Sequence, residues 1–220
     1  MSAKSFQEKL SGPNVAVKIC GVTDPGEARA IVGLGADCLG FNFWSGSKRY
    51  LGNVSGHRWI RDLDVCRVGV FVNSPMGDIL ELWKEGWIDM AQLHGEETPE
   101  DCRALTEAGV PVIKAIGIKD DQSLGRLSSF ETETVLLDAY APLEKGGTGK
   151  SFNWDLAKKA VDAEPDRNII LAGGLTAKNV RAAVEAVRPA AVDVSSGVEE
   201  APGRKDLEKV RQFIEEARSA

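Results

Sequence analysis

Eight short runs rich in Val, Ile and Leu recur along this 220-residue chain, near 15–19, 37–43, 66–72, 87–92, 111–116, 134–138, 168–172 and 190–194. Most are apolar on both faces, as the strands of a parallel sheet covered by helices must be. Stretches of helical pattern lie between them, near 53–62, 75–85, 98–108, 120–127, 154–163 and 177–187. A last one, near 205–218, puts Leu207, Val210, Ile214 and Ala217 on one face. The helix after the first run has the clearest start: Asp24 to cap it, Pro25 in its first turn, and Glu27 three residues on, as in a capping box. Gly35 ends it.

Eight strand–helix units are the number that closes a (β/α)8 TIM barrel with parallel strands. The alternative, an open doubly wound sheet, expects one glycine-rich phosphate loop early in the chain. Here such loops come late, after the sixth, seventh and eighth strands. That favours the barrel, whose phosphate site usually sits near its last two strands. No linker composition interrupts the alternation. The expected organisation is one α/β domain over residues 15–220, with residues 1–14 as a surface extension.

Composition then excludes whole classes of function. No apolar run approaches the ~18 residues a membrane helix needs, and the first residues lack the apolar core of a signal peptide. Net charge is −6, with Lys and Arg scattered among Asp and Glu, so no basic patch offers itself to nucleic acid. A small anionic ligand stays compatible, because a local site can be positive on an acidic protein. The four cysteines, Cys20, Cys38, Cys66 and Cys102, form no Cys-x-x-Cys pair, and His57 and His94 are the only histidines. A structural zinc site is not expected, and a reduced, cytoplasmic chain is. Cys38 and Cys66 read as small buried hydrophobes.

In a β/α barrel the loops after the strands form the active face. Gly146-Gly-Thr-Gly149, Gly173-Gly174 and Ser195-Ser-Gly197 follow strands six, seven and eight. Glycines there let backbone N–H groups approach an anion. Three such loops on adjacent strands imply a phosphorylated small-molecule substrate. Cys20 ends the first strand and is either a buried thiol or a base. Asp138 ends the sixth; a carboxylate is costly in a core and fits the barrel mouth better. Together they could flank one substrate and move protons on either side of it. Arg49, after the second strand, has the planar fork that grips a carboxylate, and Lys48 reads as solvated. His94 either meets substrate or braces Gln92, and His57 reads as a surface residue.

At these residues the chain strongly resembles the phosphoribosylanthranilate isomerase family. The resemblance is carried by Lys18-Ile-Cys-Gly21, Gly40-Phe-Asn-Phe43 with Ser47-Lys-Arg-Tyr50, Val68-Gly-Val-Phe71, Gln92-Leu-His-Gly-Glu96 and Leu137-Asp-Ala139. Further on it is carried by Gly146 to Lys150 with Phe152 and Trp154, Leu171 to Leu175 with Asn179-Val180, and Val192 to Glu199 with Pro202-Gly203 and Lys205-Asp206. These stretches run in the family's order from about residue 15 to the C-terminus.

The resemblance implies an Amadori rearrangement of N-(5-phosphoribosyl)anthranilate in tryptophan biosynthesis, without metal or organic cofactor. It implies Cys20 as general base, Asp138 as general acid and Arg49 on the anthranilate carboxylate. Gly147, Gly173, Gly174, Ser195, Ser196 and Gly197 would hold the phosphate, and Gln92, His94 and Asp193 would lie near the substrate. The chemistry asks for a thiol lowered from its ordinary pKa of about 8.5 and a carboxyl raised above its own. A monomer or homodimer is expected. The competing readings are a related barrel isomerase of histidine synthesis, which implies an aspartate where this chain has Cys20, and a non-catalytic phosphometabolite-binding barrel, which would lack the acid–base pair.

Overall fold

The computed structural model describes residues 3–139 and 154–220. Eight parallel strands close into a barrel: β1 (Ala16–Cys20), β2 (Cys38–Asn42), β3 (Cys66–Phe71), β4 (Met90–Leu93), β5 (Val112–Ile118), β6 (Thr134–Ala139), β7 (Asn168–Ala172) and β8 (Ala191–Val194). β1 and β8 seal it in register, with Lys18 directly opposite Asp193. All eight strands fall where the apolar runs place them.

Side chains alternate between the two faces of each strand. Outward residues such as Val17, Ile19, Leu39, Phe41, Val135, Leu137 and Leu171 pack against the helices in one large apolar core. Inward residues at the strand beginnings, among them Ala16, Cys38, Cys66, Met90 and Ile113, form a second core inside the barrel. Cys38 and Cys66 are fully buried there.

The helices are α1 (Ala3–Leu10), α2 (Pro25–Gly33), α3 (Met76–Lys84), α4 (Pro99–Glu107), α5 (Asp121–Leu124), α6 (Trp154–Ala163), α7 (Val180–Val187) and α8 (Leu207–Arg218). A two-strand antiparallel ribbon, β9 (Glu199–Ala201) with β10 (Arg204–Lys205), sits between β8 and α8.

Three expectations need correcting. Residues 3–10 of the expected surface extension form a helix with buried residues. Phe6 is fully buried in the inner core, and Lys9 pairs with Asp37, whose carboxylate also binds Arg218 at 3.2 Å. An apolar residue at positions 6 and 10 is one turn of helix, a stripe too short to signal a buried face on its own.

The segment near 53–62 is two 3-10 turns, Val54–Gly56 and Arg58–Ile60, rather than a helix. Asn53 accepts a hydrogen bond from Ser55 N, and the backbone breaks from helical geometry at His57, which is half-buried. Short polar side chains that bond their own backbone compete with the α-helix. Ile60 still reaches the core.

Asp24 caps α2 through Gly26 N and Glu27 N, at 2.8 and 2.9 Å, but Glu27 does not close a capping box. Its carboxylate accepts instead from Lys205 N at 3.0 Å, tying α2 to the ribbon.

Candidate active site

The inward positions change character along β1, β2, β4, β6 and β8. Two residues beyond the apolar inner layer the interior turns polar: Lys18, Cys20, Asn42, Gln92, His94, Asp138 and Asp193 take those positions. A cavity of about 270 Å³ opens there at the strand ends. Cys20 and Asp138 both line it, as do Arg49, Gln92, His94 and Asp193. Gly173, Gly174, Ser195, Ser196 and Gly197 line its other side. Every candidate except Gly147 therefore meets in one place; Gly147 lies outside the described residues.

Cys20 is buried, and Gly40 on the neighbouring strand makes room for it, since a Cβ there would stand 2.7 Å from Sγ. Burial pushes the thiol above its ordinary pKa; Lys18 pulls it down, Asp193 pushes it up and Lys205 pulls it down, and burial wins. This corrects the expectation of a lowered thiol. The thiol is favoured in its neutral form, and the ammonium groups of Lys18 and Lys205 act in the opposite direction.

Lys18 is a buried charge in an otherwise apolar strand, held to Asp193 by a 2.8 Å ion pair. Burial, the largest single effect, lowers an ammonium pKa, but Asp193 together with Cys20 and Cys38 more than offsets it and keeps Lys18 protonated. Asp193 thus neutralises Lys18 beneath the cavity while showing one edge to it.

On the opposite side a hydrogen-bonded chain leads to Asp138. Gln92 Nε2 lies 2.9 Å from His94 Nδ1, and His94 Nε2 lies 3.2 Å from Asp138 Oδ2. An amide nitrogen only donates, so Nδ1 accepts and the proton sits on Nε2, directed at Asp138. His94 both braces Gln92 and orients the carboxylate.

Arg49 is no solvated arginine. Its Nε and Nη2 grip Glu199 at 2.8 and 2.5 Å, and Lys205 Nζ binds the same carboxylate at 2.8 Å. Lys205 also donates to the carbonyls of Cys20 and Ser195, at 2.6 and 3.2 Å, joining the ends of β1 and β8.

One side of the cavity comes from the loops after β7 and β8. Gly173 and Gly174 adopt φ of +87° and +66°, left-handed backbone that favours glycine. A short 3-10 turn, Ser196–Val198, follows β8. That is where barrels of this kind commonly hold a phosphate. Gln92 Oε1 and Ser195 Oγ, both on cavity-lining residues, are buried without a hydrogen-bond partner. No group of three or more His, Cys, Asp or Glu among the described residues is placed to hold a metal ion.

Lys18, Glu199 and Lys205 escaped the sequence reading as site residues, although each stands within a quoted motif. A signal existed for Lys18: a lone lysine in an apolar strand needs a buried partner, and it shares a strand face with Cys20 two residues on. Glu199 and Lys205 carried none, because in sequence they belong to a charged surface turn.

A closed parallel barrel whose C-terminal mouth brings a thiol, a carboxylate and two glycine-containing loops to one cavity has the architecture of a TIM-barrel enzyme. The chain matches the family described as N-(5'-phosphoribosyl)anthranilate (PRA) isomerase over residues 17–216, and it belongs to that family. It is an isomerase of tryptophan biosynthesis. The N-(5'-phosphoribosyl)anthranilate isomerase of Geobacter metallireducens is 47% identical over 207 residues, 93% of this chain and 100% of the relative. Monomers of the dimeric Thermotoga maritima phosphoribosylanthranilate isomerase superpose with a TM-score of 0.82 at 40% identity, covering 94% of this chain and 100% of theirs. A phosphoribosylanthranilate isomerase solved with reduced 1-(o-carboxyphenylamino)-1-deoxyribulose 5-phosphate superposes at 0.81 and 39% identity, again over 94% and 100%.

Proposed function

We propose that Cys20 is the general base and Asp138 the general acid for converting N-(5-phosphoribosyl)anthranilate into 1-(2-carboxyphenylamino)-1-deoxyribulose 5-phosphate. Asp138 gives a proton to the furanose ring oxygen. The C1–O bond breaks as the anthranilate nitrogen forms a Schiff base with C1. The Cys20 thiolate then takes the proton from C2, and the electron pair moves into an enolamine. Tautomerisation places a proton on C1 and leaves a ketone at C2. C1 is reduced and C2 oxidised within one molecule, so no external redox partner is required.

The observation that carries this reading is the single cavity lined by Cys20, Asp138, Arg49 and the loops after β7 and β8. Arg49 meets the anthranilate carboxylate, and Gly173, Gly174, Ser195, Ser196 and Gly197 meet the phosphate. Gln92 Oε1 and Ser195 Oγ gain their missing partners from substrate hydroxyl and phosphate groups. Asp193 acts through Lys18. The reading carries a cytoplasmic setting, supported by four unpaired thiols, and a monomer or homodimer. No helix among the described residues is long and apolar enough to cross a membrane.

Single-turnover kinetics of Cys20→Ser and Asp138→Asn test the assignment. Each is expected to slow turnover about 10²–10⁴-fold while keeping affinity for the reduced product analogue. A folded Cys20→Ser protein turning over at the wild-type rate would overturn it.

A further inference from the structure

The guanidinium of Arg49 has five N–H donors, and its Nε–Nη2 edge is already taken by Glu199. Only the Nη1 end, shared with the second Nη2 hydrogen, is left to grip a substrate carboxylate. Glu199 is almost fully buried: its side chain is 5% exposed, and it accepts from Arg49, Lys205 Nζ and, at 3.3 Å, Gly203 N. The Lys205 side chain is fully buried. The stem of Arg49 lies against Gly21, where a Cβ would come within 2.4 Å of Cδ. Gly21 has φ of +74° and directly follows Cys20. Arg49 is thus clamped from two sides, at a fixed distance from the end of β1. The cluster holds two cations and one anion, so one positive charge remains unneutralised beside a cavity suited to an anion.

We propose that Glu199 is a positioning residue for substrate recognition: it holds Arg49 so that one end of the guanidinium, and no other, meets the substrate carboxylate. Through Lys205 it ties that end to the Cys20 carbonyl, so the carboxylate clamp and the base share one frame. Specificity for a carboxylate-bearing aglycone then resides in Glu199 as well as in Arg49. The inference rests on the reading of Arg49 as the carboxylate ligand.

Steady-state kinetics of Glu199→Gln, Arg49→Ala and the double variant test it. Glu199→Gln keeps shape and removes the charge that orients the guanidinium. KM is expected to rise about tenfold with kcat within about twofold, the pattern of lost uniform binding. Arg49→Ala is expected to raise KM at least as much. In its background Glu199→Gln is expected to do nothing further to KM, because there is no guanidinium left to orient. Glu199→Asp retains the charge on a shorter stem and is expected to fall between wild type and Glu199→Gln. It also serves as the second variant should Glu199→Gln fail to fold. A rise in KM for Arg49→Ala with none for Glu199→Gln would overturn the positioning role alone. An unchanged KM for Arg49→Ala would overturn the carboxylate reading and this inference with it. A lower KM for Glu199→Gln would mean that Glu199 competes with the substrate, which is the opposite role.

Discussion

At the N-terminal end of the barrel the inward positions are Ala16, Cys38, Cys66, Met90 and Ala191, and Phe6 of α1 packs among them. Along the same strands, toward the C-terminal end, the inward positions are Lys18 and Cys20, Gln92, and Asp193, with Asp138 at the end of β6. The lower layer is close-packed and mostly apolar, with a buried Thr134 Oγ1 that has no partner, and its main contribution is burial. The upper layer is polar. It keeps one ion pair out of water and leaves two polar atoms without partners. Buried polar groups of this kind cost stability unless satisfied. The comparison teaches that this barrel separates what holds it together from what it does within a few residues along five of its strands, β1, β2, β4, β6 and β8. Mutations should therefore divide into those that move stability alone and those that move turnover.

The largest effect is expected where the two layers meet, at Lys18–Asp193. Asp193→Ala leaves a buried ammonium without its anion and is expected to cost about 3–5 kcal/mol of unfolding free energy in urea titration. Replacing both, Lys18→Met with Asp193→Leu, is expected to recover most of that stability without recovering turnover. Recovery of both would show that the pair is only packing, and the boundary between the layers would then lie higher in the barrel.

Phe6→Ala is the next largest. Truncating a fully buried phenylalanine is expected to cost about 3 kcal/mol, with kcat/KM unchanged. α1 precedes the matched family region, which begins at residue 17, and packs at the N-terminal end of the barrel. A tenfold loss of kcat/KM in folded Phe6→Ala protein would break the separation between the two ends.

The smallest effect is on pH dependence. Burial raises the Cys20 thiol, so the thiolate is populated only above the ordinary thiol range. The rate should therefore climb with pH through that region when proton abstraction limits it. In the protein with both Lys18 and Asp193 replaced by apolar residues, the loss of the nearby ammonium outweighs the loss of Asp193, which acts in the opposite sense more weakly. The ascending limb is expected at higher pH, measured by single-turnover rate against pH. A limb that stays in place would mean that Lys18 does not act on the thiol.

The eight strands were legible because each is an uninterrupted apolar run between polar segments, and a parallel strand buried on both faces leaves that mark. Cys20, Asp138 and the late glycine loops were legible because chemistry-bearing residues at strand ends stand out against such runs. The thiol's environment was not: a lowered pKa was expected, and the fold buries Cys20 deeply enough to raise it. Helix α1 was hidden because the described part of its buried face is two residues, Phe6 and Leu10. The 53–62 segment was expected to be helix, while the local bonds of Asn53 that prevent it depend on backbone geometry.

Local order along the chain by itself determined the strand–helix alternation, the closure number and the positions that face the barrel mouth, because periodicity and glycine placement act within a few residues. Tertiary structure decided which charges meet. Lys18 and Asp193 are 175 residues apart and become register partners only when β8 closes against β1. Arg49 and Glu199 are 150 residues apart and meet only because the β9–β10 ribbon folds over the loop after β2. Coulombic pairing and burial depend on distance in space, and a closed barrel brings the first and last strands together in a way that no local pattern records.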